Sequence, residues 1–483
     1  MNRTALSRWE SPICRGQCPS QGWPALLWAL VGGCALWGGL AWLDACPASA
    51  ALPNIVVFLA DDEGYGELGC QGNREIPTPH IDSIAQNGIR FTQGYVSGPY
   101  CSPTRAGLMT GRYQTRFGHE FNPGPMRPGT GLPLSETTMA SRLKALGYAT
   151  CCIGKWHLGF DPPYRPTNRG FDEFYGTLAN TPFIKPLRFM DTRVSNDIIE
   201  ITDPNFYTTD AYADRAVDWL ERHKNGPFFL YLPFNAQHAP LEATPKYLAR
   251  FAHITDEKRR IFAAMMSAKD DAVGRVLAKL RQIGQEGNTI VWYLTDNGGP
   301  TQQTTSKNDP LRGYKSTTWE GGIRVPFMVQ WKGHLPAGKV YEHPVIQLDI
   351  LPTCLAAAGA SIPADWHLDG VNLLPYLRGE ISDRPHQTLY WRFGEQWAIR
   401  HGDYKLVVAR DRDAQPPRLV GPALFNLAED ISEKNDLAAA NPAKVAELKA
   451  LWDRWNAEQK DPLWGPGEEG KAKTKGKKAK TKN

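Results

Sequence analysis

The sequence predicts an α/β fold followed by a smaller α+β domain, and three observations support this. Short apolar runs rich in β-branched and aromatic residues alternate with helical patterns through most of the 483 residues, as they do in chains that build parallel sheets. Four of these runs end in ionisable residues, and open α/β sheets bind ligands in the crevice at their strand ends. Past Pro375 the pattern changes to shorter strands closed by a helix, which suits a separate layered unit.

In chain order, strands are expected over 54–59, 148–153, 228–234 and 289–294, and helices over 135–146, 210–223, 256–283 and 347–358. Several of these helices open on a Ser or Asp able to accept from free amide N–H groups. In the second unit, strands over 387–393, 397–400 and 405–408 lead into a helix over 442–459. The expected organisation is an N-terminal segment 1–50, a main domain 51–375, a small domain 376–463 and a lysine-rich tail 464–483.

The N-terminal segment reads as an export signal. Arg3, Arg8 and Arg15 precede an apolar run over 23–43, and Ala48-Ser49-Ala50 supplies the small-x-small pattern of a cleavage site. Cleavage would leave Ala51 as the first residue. An uncleaved membrane anchor competes with this reading, and Cys34 or Cys46 would be the lipidated residue of a weaker lipoprotein reading. In every case the body lies outside the cytoplasm: periplasmic, on the cell envelope or secreted. The absence of an Asn-x-Ser/Thr acceptor after residue 50 favours a bacterial source.

A hydrophobic share of 42% against 22% charged residues excludes a mostly disordered chain or a fibre. The net charge of +5 is misleading, because residues 470–483 hold seven lysines and no acid. Without them and the +1 of residues 1–50, the body carries −3, which gives no argument for nucleic-acid binding. Five cysteines remain in the body: Cys70, Cys101, Cys151, Cys152 and Cys354. That number is odd and too small for a disulfide framework. Cys151 and Cys152 are expected to be buried thiols on opposite faces of one strand.

The strand ends carry the chemistry. The first strand runs into Asp61-Asp62, the second into Gly154-Lys155-Trp156-His157, the third into Asn235-Ala236-Gln237-His238 and the fourth into Asp296-Asn297-Gly298-Gly299. Singly, an Asp after a strand is more often a turn residue. Together they make one shared site the expectation. Asp61, Asp62, Asp296 and Asn297 offer only oxygen donors, which suits a hard divalent cation; calcium is expected over magnesium because it tolerates irregular geometry. Arg105, Lys155, His157, His238 and Lys315 would face that cation across a pocket fit for an anionic oxyester. Cys101 precedes Ser102 and Pro103 at an expected helix start, where the dipole favours an anionic oxygen or a low-pKa thiol. Tyr100, Arg116, His119, Glu120, Asn180 and the loops over 181–204 are candidate pocket walls.

The segment CSPTRAGLMTGR, residues 101–112, resembles the Cys-x-Pro-x-Arg signature of the formylglycine-dependent type I sulfatases. The same family is resembled by PNIVVFLADDEGY at 53–65, GKWHLG at 154–159, HAPL at 238–241, TDNG at 295–298 and LRGYKSTTWEGGIRVP at 311–326. The resemblance implies an alkaline phosphatase-like fold, a large mixed sheet between helices with a small C-terminal domain. It also implies that a formylglycine-generating enzyme oxidises Cys101 to 3-oxoalanine, and that Cys101 joins Asp61, Asp62, Asp296 and Asn297 around the metal. One hydroxyl of the hydrated aldehyde then attacks sulfur beside Arg105. Lys155, His238 and Lys315 hold the sulfate oxygens, His238 or Lys315 protonates the leaving alcohol, and His157 takes the proton of the second hydroxyl so that sulfate is expelled. A sulfated carbohydrate is the expected substrate. The competing readings are a phosphonate monoester or phosphodiester hydrolase of the same superfamily and a non-catalytic binder of sulfated glycans.

Overall fold

The structure, a computed structural model, describes residues 51–124 and 127–465. The expected export segment, with Cys34 and Cys46, and the lysine-rich stretch 470–483 lie outside the described residues.

Ten strands form one mixed sheet: β1 (Asn54–Ala60), β2 (Ile89–Phe91), β3 (Ala149–Lys155), β4 (Glu173–Thr177), β5 (Phe189–Asp191), β6 (Ile198–Ile199), β7 (Phe228–Pro233), β8 (Thr289–Thr295), β9 (Phe327–Gln330) and β10 (Lys339–Tyr341). Their spatial order is β10-β2-β9-β8-β1-β7-β3-β4-β5-β6. The five central strands, from β8 to β4, are parallel, while β9 and β5 pair antiparallel on either side. Parallel pairing brings the carboxyl ends of β1, β3, β7 and β8 to one edge, and this gathers the four ionisable motifs.

All seven residues of β1 are buried, as expected of a strand covered on both faces. Ile55, Val57 and Leu59 enter one core, and Val56, Phe58 and Ala60 the other. The first core is shared with α1 (Cys101–Thr110) and α2 (Met139–Ala145), the second with α3 (Thr208–Arg222) and α4 (Glu257–Gln282). Cys152 and Cys151 divide between these cores in the same way, and all five body cysteines are free thiols. α4 starts where its capping signal lies, with the Asp256 carboxylate accepting from Arg259 N at 2.6 Å. α2 starts later than expected. A turn at Pro133 to Glu136 comes first, and the cap is Thr138, whose side chain accepts from Ser141 N at 3.1 Å.

Gly154 shows how tightly β3 and β7 approach just before the edge that gathers the ionisable motifs. Its φ is +133°, and a Cβ there would lie 1.9 Å from the Pro233 carbonyl oxygen. Gly154→Ala is therefore expected to destabilise the fold by about 2–5 kcal/mol through backbone strain and overlap. Urea unfolding measures this, and a change below about 1 kcal/mol would contradict the close approach.

The C-terminal unit is an antiparallel sheet of β11 (Thr388–Phe393), β12 (Gln396–His401), β13 (Tyr404–Asp411) and β14 (Arg418–Asn426), paired in sequence order. α5 (Pro442–Ala457) contributes Leu448, Trp452 and Trp455 to its core. Three strands were expected. β14 is masked in the sequence by Gly421-Pro422 and by a register shift in its partner between Val407 and Ala409. It lies at the sheet edge, where proline is tolerated. A buried ionic network fastens this sheet to the 311–326 segment: Lys405 Nζ lies 2.9 Å from Glu320 Oε1 and 2.8 Å from Glu433 Oε1. Tyr95 donates to Glu320 Oε2 at 2.7 Å, and Arg400 donates to the Tyr95 hydroxyl at 2.7 Å. The segment that carries Lys315 is thereby tied to the C-terminal sheet.

Candidate active site

Cys101 is the first residue of α1 and fully buried. Pro103 is accommodated in the first turn because amide groups there have no partner within the helix. The Cys101 Sγ lies 3.6 Å from Asp61 Oδ1. One turn along, Arg105 donates from Nε and Nη2 to Asp296 Oδ2 at 3.0 and 2.8 Å, and from Nη1 to the Lys155 carbonyl at 2.7 Å. Lys155 Nζ pairs with Asp61 Oδ2. Lys315 Nζ is 2.6 Å from Asp62 Oδ1, and His238 Nε2 is 3.6 Å from Asp62 Oδ2. Asn297 Nδ2 donates to Asp62 Oδ1 at 2.8 Å. Asp62 N reaches Asp296 Oδ1 at 3.3 Å. His157 is also buried, and its Nδ1 has no hydrogen-bond partner among the described residues.

Every sequence-predicted metal-ligating and catalytic residue thus lies at one sheet edge, with three carboxylates facing Arg105, Lys155 and Lys315. Burial opposes ionisation of Asp61, yet Lys155, His238 and Arg105 hold its carboxyl below the ordinary range. Asp62 is likewise lowered, with Lys315 the main counterweight to burial. Asp296 goes the other way. Burial and then repulsion from Asp61 raise it despite Arg105, a strain that a cation among these carboxylates relieves. Burial, then Lys155, Arg105, His238 and Lys315, push His157 well below its usual value, which favours its neutral ring.

The expectation of a low-pKa thiol at Cys101 is corrected. Burial, then the Asp296 and Asp61 charges, push this thiol up against Lys155 and Lys315. The helix terminus does not overcome them.

Asp61, Asp62, Cys101 and His238 place ligand atoms within 4.8 Å of one another. Asp296 and Asn297 border that group, and the Asn297 Oδ1 is buried without a hydrogen-bond partner among the described residues. Three carboxylates and an orphaned carboxamide oxygen fit a hard divalent cation. Gly298 lets the strand end pack closely: a Cβ there would stand 1.7 Å from the Gly321 carbonyl oxygen.

A cavity of about 330 Å³ opens onto this cluster through His238 and Lys315, with Tyr100, Asn180, Tyr314 and Arg412 in its walls. Tyr100 and Asn180 are where they were expected. Arg116, His119 and Glu120 are turned to structural partners instead. Arg116 pairs with Asp369 at 2.6 Å, His119 Nε2 contacts Ser102 Oγ at 2.6 Å, and Glu120 accepts from Arg392 at 2.8 Å.

Sequence reasoning missed a support behind the site. Lys269 Nζ pairs with buried Glu63 and reaches Gln237 Oε1 at 3.4 Å, while Tyr293 donates to Glu63 at 3.0 Å. This ties the Asp61-Asp62 loop to the His238 loop. Lys269 sits in the middle of a charged 26-residue helix, so nothing local distinguishes it from a solvated lysine. Ser102 was also missed; its hydroxyl donates to the His157 carbonyl at 2.6 Å.

Cations gathered beside oxygen donors at the strand ends of such a mixed sheet define a hydrolase of anionic esters with alkaline phosphatase-like architecture. The particular family follows from comparison with known proteins. The sulfatase family model matches residues 53–360, and the model described as N-sulphoglucosamine sulphohydrolase, C-terminal, matches 314–458. The chain belongs to the sulfatase family and is a sulfuric ester hydrolase. It is 34% identical to N-acetylgalactosamine-6-sulfatase of Sus scrofa over 378 residues, 73% of this chain and 71% of that one. Arylsulfatase G of Rattus norvegicus is 32% identical over 450 residues, with 81% and 84% covered. The crystal structure of Ps i-CgsB superposes with a TM-score of 0.78 at 34% identity, covering 85% of this chain and 94% of that one. Its complex with k-i-k-neocarrahexaose superposes at 0.77 and 33% identity, with the same coverage.

Proposed function

We propose that this sulfatase removes sulfate from carbohydrates, using Cys101 matured to formylglycine and a calcium ion held by Asp61, Asp62, Asp296 and Asn297. The observation that carries the reading is the convergence of Cys101, Asp61, Arg105 and Lys155 in one buried cluster that meets a cationic cavity through His238 and Lys315. Carbohydrate is favoured because N-acetylgalactosamine-6-sulfatases stand among the relatives and Ps i-CgsB is seen with a neocarrahexaose.

When present, the hydrated aldehyde supplies one hydroxyl to attack sulfur and a second through which sulfate is released, and calcium supplies positive charge beside them. The chain's own residues do the rest. Arg105 is immobilised by Asp296 and the Lys155 carbonyl, so it orients the nucleophilic end of α1 without reorganising. Lys155 and Lys315 are positioned to hold sulfate oxygens once these compete with Asp61 and Asp62. His238 is partly exposed at the cavity floor, with Nδ1 2.5 Å from the Ala239 carbonyl. With Nδ1 donating to that carbonyl, Nε2 faces inward and protonates the leaving alcohol only when it carries a second proton; Lys315, held charged against burial by Asp62, is the donor that already has one. His157, neutral and unpartnered at Nδ1, takes the proton that release demands.

The test is turnover by purified, aldehyde-bearing protein. It uses a panel of sulfated monosaccharides, sulfated glycan oligomers, an aryl sulfate and an aryl phosphonate monoester. Sulfated sugars are expected to give the highest kcat/KM. A higher value on the phosphonate would overturn the reading, and so would binding of sulfated glycans with no turnover.

The proposed location is outside the cytoplasm, with the membrane involved only if the N-terminal segment is retained. Deleting residues 470–483 is expected to leave kcat within about twofold while lowering the salt at which the protein leaves a polyanion column, since a tail whose only charged side chains are lysines acts through screened charge. A loss of folding on deletion would show the tail to be structural.

A further inference from the structure

The cavity above the catalytic cluster is open on one side. Gln302 and Arg412 line it and also line a second cavity of about 930 Å³, so the two adjoin. The walls of the second include Phe393 and Arg410 of the C-terminal sheet and Trp464 beyond α5. None of these residues takes part in the chemistry above.

Part of this wall is aromatic. The Phe393 ring lies 5.4 Å from Tyr100 and 5.1 Å from Phe121 between centroids. Trp464 Nε1 donates to the Phe121 carbonyl at 3.0 Å, which fixes its indole beside them. Another part is cationic. Arg412 is exposed and makes no hydrogen bond or ion pair among the described residues. Among the described residues the Arg410 side chain pairs with Glu395 alone, at 3.2 Å and open to solvent, an interaction of small net worth. The neighbouring acids are turned to local donors: Asp411 accepts from the amides of Asp413 and Ala414, and Asp413 accepts from Gln302 and Tyr314.

Rigid aromatic faces beside guanidinium groups suit a ring with apolar C–H faces and anionic substituents. Rings stack on the aromatics, and sulfate oxygens accept the paired N–H donors of arginine. On the usual scale of about 300–1,000 Å³ for a small-molecule site, the inner cavity fits one sulfated sugar and the outer has room for further units.

We propose that the outer cavity binds additional sulfated sugar units of the same glycan chain, with Arg410 and Arg412 holding their sulfates and Phe393 and Trp464 their ring faces. The enzyme therefore acts on oligomers in preference to single sugars. This rests on the carbohydrate-sulfatase reading above.

The experiment is calorimetric binding to full-length Cys101→Ala protein, which binds without turning over. The probes are hexasaccharides of a carrageenan and of chondroitin sulfate, against galactose 6-sulfate and N-acetylgalactosamine 6-sulfate. At least one hexasaccharide is expected to bind about tenfold or more tighter than either monosaccharide, with a steep salt dependence. Adding Arg410→Ala and Arg412→Ala should erase most of that preference and flatten the salt dependence. Phe393→Ala should weaken the hexasaccharide and keep the salt slope. Thermal melting confirms that each variant is folded. Hexasaccharides binding no tighter than monosaccharides, or a preference unmoved by the double arginine change, overturns the proposal. A preserved preference in a protein whose aldehyde-bearing form hydrolyses no sulfate ester would instead sink the sulfatase reading and leave the groove standing.

Discussion

Cys101→Ala is expected to abolish turnover, by on the order of 10⁴-fold or more, the scale of removing a covalent nucleophile, while leaving the protein folded. Cys101 is fully buried at the first position of α1. Alanine is the best helix former, and the lost sulfur leaves a small cavity worth about 1–2 kcal/mol. The tryptic fragment 91–105 of active wild-type protein should show the mass loss of a thiol replaced by an aldehyde oxygen, and activity should track the modified fraction. Two physical points support the modified residue over the thiol. Burial, then the Asp296 and Asp61 charges, push the thiol pKa up, and a sulfated thiol or serine has no second hydroxyl with which to expel sulfate. Cys101→Ser should thus accept at most one sulfuryl group per chain unless the host matures serine. Multiple turnover from protein wholly unmodified at Cys101 would sink this assignment.

The site was more legible in the sequence than the details of the fold, and the physics explains why. Parallel strands buried on both faces leave uninterrupted apolar runs, so four of the five central strands stand out, and the residues that end them share an edge once the strands are parallel. That argument alone placed Asp61, Lys155, His238 and Asp296 together. It could not reveal β14, whose glycine and proline read as a turn and whose pairing contains a bulge. Nor could it reveal Lys269, because a lysine on a long charged helix looks solvated until the fold shows Glu63 packed against it. The low thiol pKa expected for Cys101 failed for a related reason. Proximity to a helix terminus is local, but the desolvation and the two carboxylates that outweigh it arrive through tertiary contacts. Arg410 and Arg412 were equally silent, since their meaning depends on a cavity formed with Phe121, which lies almost three hundred residues earlier.

Asp296→Asn is expected to remove bound calcium and to lower kcat on the order of 10³-fold or more, as when a preorganised charge at the reacting centre is lost. The substitution keeps the shape of the side chain, so one oxygen can still accept from Arg105, which now donates to Asp296 at 3.0 and 2.8 Å. What disappears is one of the three negative charges that offset Arg105, Lys155 and Lys315. Asp61 lies 3.6 Å from Arg105 and takes up part of that balance. The fold should therefore survive, at less than the roughly 3–5 kcal/mol typical of a buried pair broken outright. Cation affinity should not survive, because a hard ion is held mainly by carboxylate charge. Metal analysis after exhaustive dialysis reads this outcome independently of activity: calcium near one per chain in the wild type and well below that in Asp296→Asn, with matching far-UV circular dichroism. Zinc in the wild-type protein, or calcium retained at full stoichiometry after the substitution, would show that these oxygen donors were assigned to the wrong ion or to none.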